Sequence, residues 1–383
     1  MATSYFSTIT NESAFKAHFQ EDHGKLFSDV KLVAASEWGR DHLFACRVIR
    51  RETQRSILPT LSEYARPSDL KSSTEIINFV NGPQDPTYMA QSEHRLVRSF
   101  SYGMSLGQIW AALAMFKSGQ GRRGIEILAG SDDETDEREE RAKRPRRSTL
   151  QEDFMDSRTI QVGSSSPQEI SSQETSSVGY VDSESHRLLA SPEDETLRLA
   201  SCVIRHILYF GAPQDSVDLT TVVEFRDAKV RMAAYTPILK RKIVAIDDGG
   251  LCLRKELNGG FSLCKNHLAI LEGKRQFQCL ENGRPIISDN CLAQMTCEAL
   301  VASIADPFNE LQPTGVIVIN ATQHYMCFVH FEITEEYLLD FESPSPRAFL
   351  YVNSTPWFDL DSPSGRRQVV LNLCGLMRRE LYA

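Results

Sequence analysis

The chain of 383 residues has no surplus of positive charge: 42 Lys and Arg face 51 Asp and Glu, a formal net charge of −9. That excludes a protein that coats nucleic acid by bulk charge, and any such contact has to come from a local basic patch. Long apolar runs are missing too. The longest, Ile109 to Phe116, is far too short to span a bilayer, so no membrane partner is expected. The opening Met-Ala-Thr-Ser-Tyr-Phe-Ser-Thr lacks a basic region followed by an apolar one, and a secretory signal is not expected. Nine cysteines are present, but the number is odd and their spacing forms no framework. Cys264-Lys265-Asn266-His267 is the nearest approach to half a metal site and has no CxxC partner. Reduced thiols in a nuclear or cytoplasmic compartment are the expectation. With 41% hydrophobic and 24% charged residues, the chain is globular on average, and its length suits two domains or one enlarged domain.

Composition changes abruptly near Ser131. Residues 131–140 (SDDETDEREE) hold seven carboxylates, residues 141–147 (RAKRPRR) five basic side chains, and residues 148–192 twelve serines with almost no apolar periodicity. Such a stretch cannot bury enough apolar surface to offset its chain entropy, which predicts a disordered linker over 131–190. The linker separates an N-terminal region, 1–130, of no assignable role from a C-terminal domain, 191–383. Within it, Lys143, Arg144, Arg146 and Arg147 surround Pro145 in a short cluster of the nuclear-localisation kind. The plainer alternative is a basic block that neutralises the acidic run before it. In the N-terminal region, Lys25–Ala34 and His42–Ile49 are expected as strands and His94–Lys117 as a helix.

The C-terminal region has a clearer rhythm. Ser191-Pro192-Glu193-Asp194 offers a cap, a proline at the first helical position and acids in the first turn. Leu199, Val203, Ile207 and Phe210 then recur at helical spacing until Gly211-Ala212-Pro213. Strands are expected at Val222–Arg226, Lys242–Asp247, Leu251–Arg254 and His267–Lys274. A helix from Ser288 to about Ala305 follows, then strands Val316–Asn320 and Met326–Ile333, and a terminal helix over Arg366–Tyr382. This order predicts an α/β fold with a mixed central sheet flanked by helices.

Chemistry concentrates at the end of one of these strands. Glu272 and Lys274 are two residues apart, so on a strand the carboxylate and ammonium project from the same face. Upstream, the apolar run Lys242–Ile246 ends in Asp247-Asp248-Gly249-Gly250, and two neighbouring strands would bring an Asp and a Glu to one edge. Downstream, Gln294 and Glu298 are four apart on the expected helix and share a face. Mg²⁺ or Mn²⁺ prefers a few hard carboxylate oxygens plus waters, and Asp248 with Glu272 would provide them. Taken singly the signals are weak: Glu-x-Lys is common and reads equally as a solvated strand end, and Asp-Asp-Gly-Gly makes tight turns.

As a set, Asp248, Glu272-Gly273-Lys274 and a Gln-bearing helix resemble the PD-(D/E)xK nuclease superfamily, whose restriction-endonuclease-like core is a helix, a three-strand meander, a second helix and a further strand. The stretches AIDDGG, LEGKRQF and ISDNCLAQMTCEAL are also similar to those of uncharacterised fungal proteins held to carry this core. The likeness covers the last half of the chain. It implies catalytic roles for Asp248, Glu272, Lys274 and Gln294, with Asp247 and Glu298 as alternative or supporting residues and Asp248 and Glu272 as Mg²⁺ or Mn²⁺ ligands. Two departures stand out: no proline precedes the Asp, and Glu298 stands where some members have Tyr.

The expectation is a metal-dependent phosphodiesterase acting on DNA or RNA. The alternative is an inactive nuclease-fold module that binds protein partners through 1–190. Residues 193–383 carry 19 basic against 24 acidic side chains. Nucleic acid would therefore be gripped by a small rim, for which Lys240, Arg241, Lys242 and Arg275 are the candidates.

Overall fold

The computed structural model describes residues 4–51, 54–83, 85–99, 103–117, 193–306 and 315–382. The expected linker, with Lys143, Arg144, Arg146 and Arg147, lies outside them.

The fold is mixed α/β. The central sheet contains β1 (Val48–Arg50), β2 (Thr221–Arg226), β5 (Gly250–Leu257), β6 (Gly260–Lys274), β9 (Val316–Thr322), β10 (Tyr325–Glu332) and β11 (Leu350–Ser354), in the order β1-β11-β10-β9-β6-β5-β2. The short β12 (Phe358–Asp359) pairs with β10 off this path. β2, β5 and β6 form an antiparallel meander, β9 runs parallel to β6, and β10 returns antiparallel to β9. Two ribbons stand apart: β3 (Arg231–Tyr235) with β4 (Lys242–Ile246), and β7 (Cys279–Glu281) with β8 (Arg284–Ile286).

Side-chain alternation divides the sheet between two cores. On β9, Val316 and Val318 face one core while Ile317, Ile319 and Ala321 face the other, as expected of a strand covered on both sides. Ten helices lie among the described residues. In the first core they are α1 (Tyr5–Thr8), α2 (Glu12–Glu21), α3 (Arg40–Ala45), α8 (Asp289–Ile304) and α9 (Glu335–Asp340). The second core holds α4 (Thr74–Asn81), α5 (Glu93–Val97), α6 (Gly103–Lys117), α7 (Glu193–Phe210) and α10 (Pro363–Tyr382).

The regions on either side of the expected linker are not separate units. β1 extends the main sheet by pairing in parallel with β11, and each core mixes residues from before 118 with residues after 192. This also explains α8, which is buried nearly all round. One side packs on the sheet and the β3–β4 ribbon, and the other is covered by α3 and the short turn of helix at Ala35–Glu37. Lys25–Ala34 forms no strand. Phe27 and Val30 plug into the core, and their carbonyls accept from the Arg241 guanidinium instead of a neighbouring strand. His42–Ile49 is divided between the end of α3 and the start of β1, and His94–Lys117 between α5 and α6. Among the described residues no helix is long and apolar enough to cross a membrane.

Candidate functional site

β6 ends where the chemistry was expected. Glu272 and Lys274 follow Ile270 on the α8 side of the sheet, opposite Asn320 and Thr322 of the parallel β9. Gly273 points the other way, against α7. A Cβ there would lie 2.5 Å from Leu197 Cδ2 and 3.0 Å from Cγ, so the residue between the carboxylate and the ammonium is small because a helix rests on it.

Glu272 is 1% exposed. Its Oε1 accepts from Lys274 Nζ at 2.6 Å and from Gln294 Nε2 at 2.7 Å. Gln294, on α8, also accepts from Lys274 Nζ through Oε1 at 2.7 Å, and its amide reaches Glu298 Oε1 at 3.0 Å. The expected spacing of Gln294 and Glu298 thus closes a network over the strand end. Ser288 caps α8, its Oγ accepting from Cys291 N–H at 3.2 Å, and sets the register that aims both residues.

The electrostatics follow from burial. Burial pushes the Glu272 carboxyl up to about 7, the Lys274 charge opposes the rise, and the Asp248 charge adds to it. Glu298 is raised further, first by burial, then by the charge of Glu272 and by a hydrogen bond to it. Gln294 Nε2 bridges the two carboxyls through their Oε1 atoms, and neither buried Oε2 meets a hydrogen-bond donor. For Lys274, burial favours the neutral amine, but Glu272 and its neighbours outweigh that and hold the ammonium.

The two aspartates do different things. Asp247 is buried and fully engaged: Arg226 grips it at 3.1 and 2.6 Å, and the N–H groups of Val230 and Gly249 donate to Oδ1 at 2.8 and 3.2 Å. It locks the junction of β2, the ribbon and β5. Asp248 instead reaches the site. Its Oδ2 accepts from Gly273 N–H at 2.9 Å, between Glu272 and Lys274, and its Oδ1 from Lys229 Nζ at 2.7 Å. The turn that aims it needs Gly249, whose φ is +134°. The expected delivery route was different. Among the described residues β4 pairs with β3 and not with β6, and Asp248 arrives just before β5.

Four further side chains, Glu193, Lys229, Asn320 and Cys291, join these residues. Glu193 opens α7, and burial together with the Asp248 charge raises its carboxyl, while Lys274 and Lys229 oppose the rise. Lys229 neutralises Asp248. Asn320 donates from Nδ2 to Cys291 Sγ at 3.4 Å and leaves its buried Oδ1 without a donor. Burial, foremost, pushes the Cys291 thiol up to about 12. Asn320 had a signal in the sequence, a lone amide in the apolar run VIVINAT. Lys229 had none.

Among the described residues no three His, Cys, Asp or Glu side chains converge as a metal cage. Asp248 and Glu272 offer oxygens of the kind a hard divalent cation takes, Glu272 with its buried Oε2 lacking a hydrogen-bond donor on the α8 side, and Asp248 with Oδ2 3.4 Å from the Cβ position of Gly273, on the α7 side. Of the expected rim, Lys240 and Lys242 are exposed at the end of β4 remote from Asp247, and Arg275 follows Lys274 half-buried. Arg241 is engaged by the Phe27 and Val30 carbonyls. Compared with protein-family models, curated proteins and solved structures, the chain matches none.

Proposed function

We propose that the chain is a metal-dependent phosphodiesterase, a nuclease with a PD-(D/E)xK site on a restriction-endonuclease-like core. One observation carries the reading: the Asp248 carboxylate accepts from the N–H of Gly273, which binds it to the strand end that presents Glu272 and Lys274 on one face. The chain order supports the core. α7, the meander β2-β5-β6, α8 and the parallel β9 follow one another, with the β3–β4 ribbon inserted between the first two strands.

In this reading Asp248 and Glu272 hold Mg²⁺ or Mn²⁺, which supplies positive charge to the phosphate oxygens and makes a water acidic. The chain's own residues do the rest. Gln294 fixes Glu272 Oε1, which leaves Oε2 as the oxygen that would hold the cation. Lys274, held as an ammonium, offsets charge building on the phosphate and orients the water rather than acting as its base. Gln294 bonds both Glu272 and Lys274, so it positions them together.

A second reading is a catalytically inactive module of the same fold acting on protein partners in the nucleus. The Lys229–Asp248 ion pair favours it, because an ammonium 2.7 Å from Oδ1 competes with a cation for that carboxylate. Incubation of purified protein with DNA and with RNA in Mg²⁺, Mn²⁺ or EDTA separates the two. Metal-dependent cleavage lost in Glu272→Ala and Lys274→Ala supports the enzyme. No cleavage leaves the interaction module, and cleavage that survives both substitutions overturns the roles given to Glu272 and Lys274.

A further inference from the structure

The β3–β4 ribbon turns one face inward and one outward. Met232, Ala234, Ile243 and Ala245 are buried in the first core. The outward face is built of three cross-strand pairs, Arg231 with Ile246, Ala233 with Val244, and Tyr235 with Lys242. Tyr235 is 62% exposed and Ile246 53%, and Arg231 and Lys242 are also exposed. This face carries no carboxylate. The nearby Glu342 is 3% exposed and accepts from the N–H groups of Ile238 and Leu239, which ties down the ribbon's turn. Thr236 and Arg241 clasp the same turn through backbone and side-chain bonds.

Its position relative to the site gives this face a direction. The Arg231–Ile246 end adjoins Asp247, and Asp248 is the next residue. From there the face runs about 13 Å to Tyr235 and Lys242 at roughly 3.3 Å per residue. That is the reach of about four stacked nucleotides at 3.4 Å each. A cation near the site, an apolar middle, and an aromatic ring with a second cation at the far end match a single strand. Bases stack on the exposed ring and apolar surface while phosphates meet Arg231 and Lys242.

We propose that the outward face of the β3–β4 ribbon is a docking track for single-stranded DNA that leads to Asp248. The inference rests on the nuclease reading for the strand's destination. Deoxyribose is favoured because the middle of the face, Ala233 with Val244, offers no polar side chain with which to read a 2′-hydroxyl. A second copy of the chain is disfavoured as occupant because a symmetric contact would set basic residues of the ribbon against their own copies.

The test is fluorescence anisotropy of a labelled oligo-dT with the full chain in EDTA, which separates binding from cleavage. Tyr235→Ala is expected to weaken binding about 5- to 150-fold. Arg231→Ala and Lys242→Ala are each expected to lower the salt dependence of log affinity by about 0.7. All three side chains are exposed, and unchanged thermal melts keep the comparison clean. No binding of oligo-dT by the wild type, unchanged binding by the three variants, or equal or tighter binding of duplex DNA or RNA overturns the proposal. So does a dimer in sedimentation that Tyr235→Ala dissociates. Binding with this pattern but no cleavage in Mg²⁺ would sink the nuclease reading and leave the track standing; cleavage with unaffected binding would do the reverse.

Discussion

Replacing Glu272 by Gln is expected to make the metal-free protein more stable, not less. The carboxyl stands at 4.5 in an ordinary setting and about 7 in the fold, with burial as the main cause. Above pH 7 the folded protein therefore carries an ionised group that the unfolded chain accommodates better, at a cost of about 3 kcal/mol. The pH window follows from the sign. Below about 4.5 the group is protonated in both states and costs nothing. Between 4.5 and 7 the unfolded chain releases its proton first, and stability falls as pH rises. Above 7 the loss is complete. Glutamine imitates the protonated acid and can keep a bond to Gln294, so Glu272→Gln should match the wild type near pH 4 and exceed it by about 3 kcal/mol at pH 8.

At 2–4 °C per kcal/mol for a domain of this size class, that is a rise in melting temperature of roughly 6 °C or more. Thermal melts followed by circular dichroism in EDTA at pH 5, 6.5 and 8 measure it. Mg²⁺ should narrow the gap at pH 8, because a cation bound only by the folded wild type stabilises it by about 2.7 kcal/mol at a hundred times its Kd. A variant that is less stable at pH 8, by the same amount at every pH, would refute the reasoning. It would mean that the 2.6 Å ion pair with Lys274 outweighs the burial of the carboxylate.

Gly273→Val should cost about 1–3 kcal/mol in urea denaturation, because the added carbons meet Leu197 of α7 at contact distances that force a shift. Gln294→Leu should lower metal-dependent cleavage about 10- to 100-fold with the circular dichroism spectrum unchanged, since it frees the Lys274 and Glu272 side chains without removing either. A fragment of residues 191–383 should fail to give a cooperative melt, because it loses β1 and the residues that cover the outer side of α8. Arg146→Ala with Arg147→Ala should release a fluorescent fusion from the nucleus; an unchanged distribution removes the localisation reading.

The elements legible in the sequence are those whose signals are local. α7 has its first-turn acids and a stop at Gly211, Ser191 and Pro192 lying outside the described residues; α8 has Ser288; β9 and β10 are largely apolar runs. Glu272, Lys274, Gln294 and Glu298 were legible for the same reason, since strand and helix periodicities alone set which way they point. What escaped depends on partners distant in the chain. β3 reads Arg-Met-Ala-Ala-Tyr, too weak an alternation to identify without β4 beside it. Asp247 and Asp248 are equivalent in sequence. Only Arg226, Val230 and Gly273, brought from three separate segments, make one a structural lock and the other a site residue.

The N-terminal region has no signature of its own because its work is done on another segment. Asp289, the first residue of α8, accepts from Tyr5 N–H at 2.8 Å and from Arg40 at 3.0 Å. Those bonds hold the end of the helix that carries Cys291, Gln294 and Glu298, while Trp38, Leu43 and Phe44 fill the first core behind it. A loosened α8 would lower Gln294 away from Glu272 and leave a buried carboxylate with one partner fewer, at a cost of about 1–3 kcal/mol. The site's geometry and the packing of residues 4–51 are therefore one energetic unit. This is why a site written in the last half of the chain needs the first half to hold its shape.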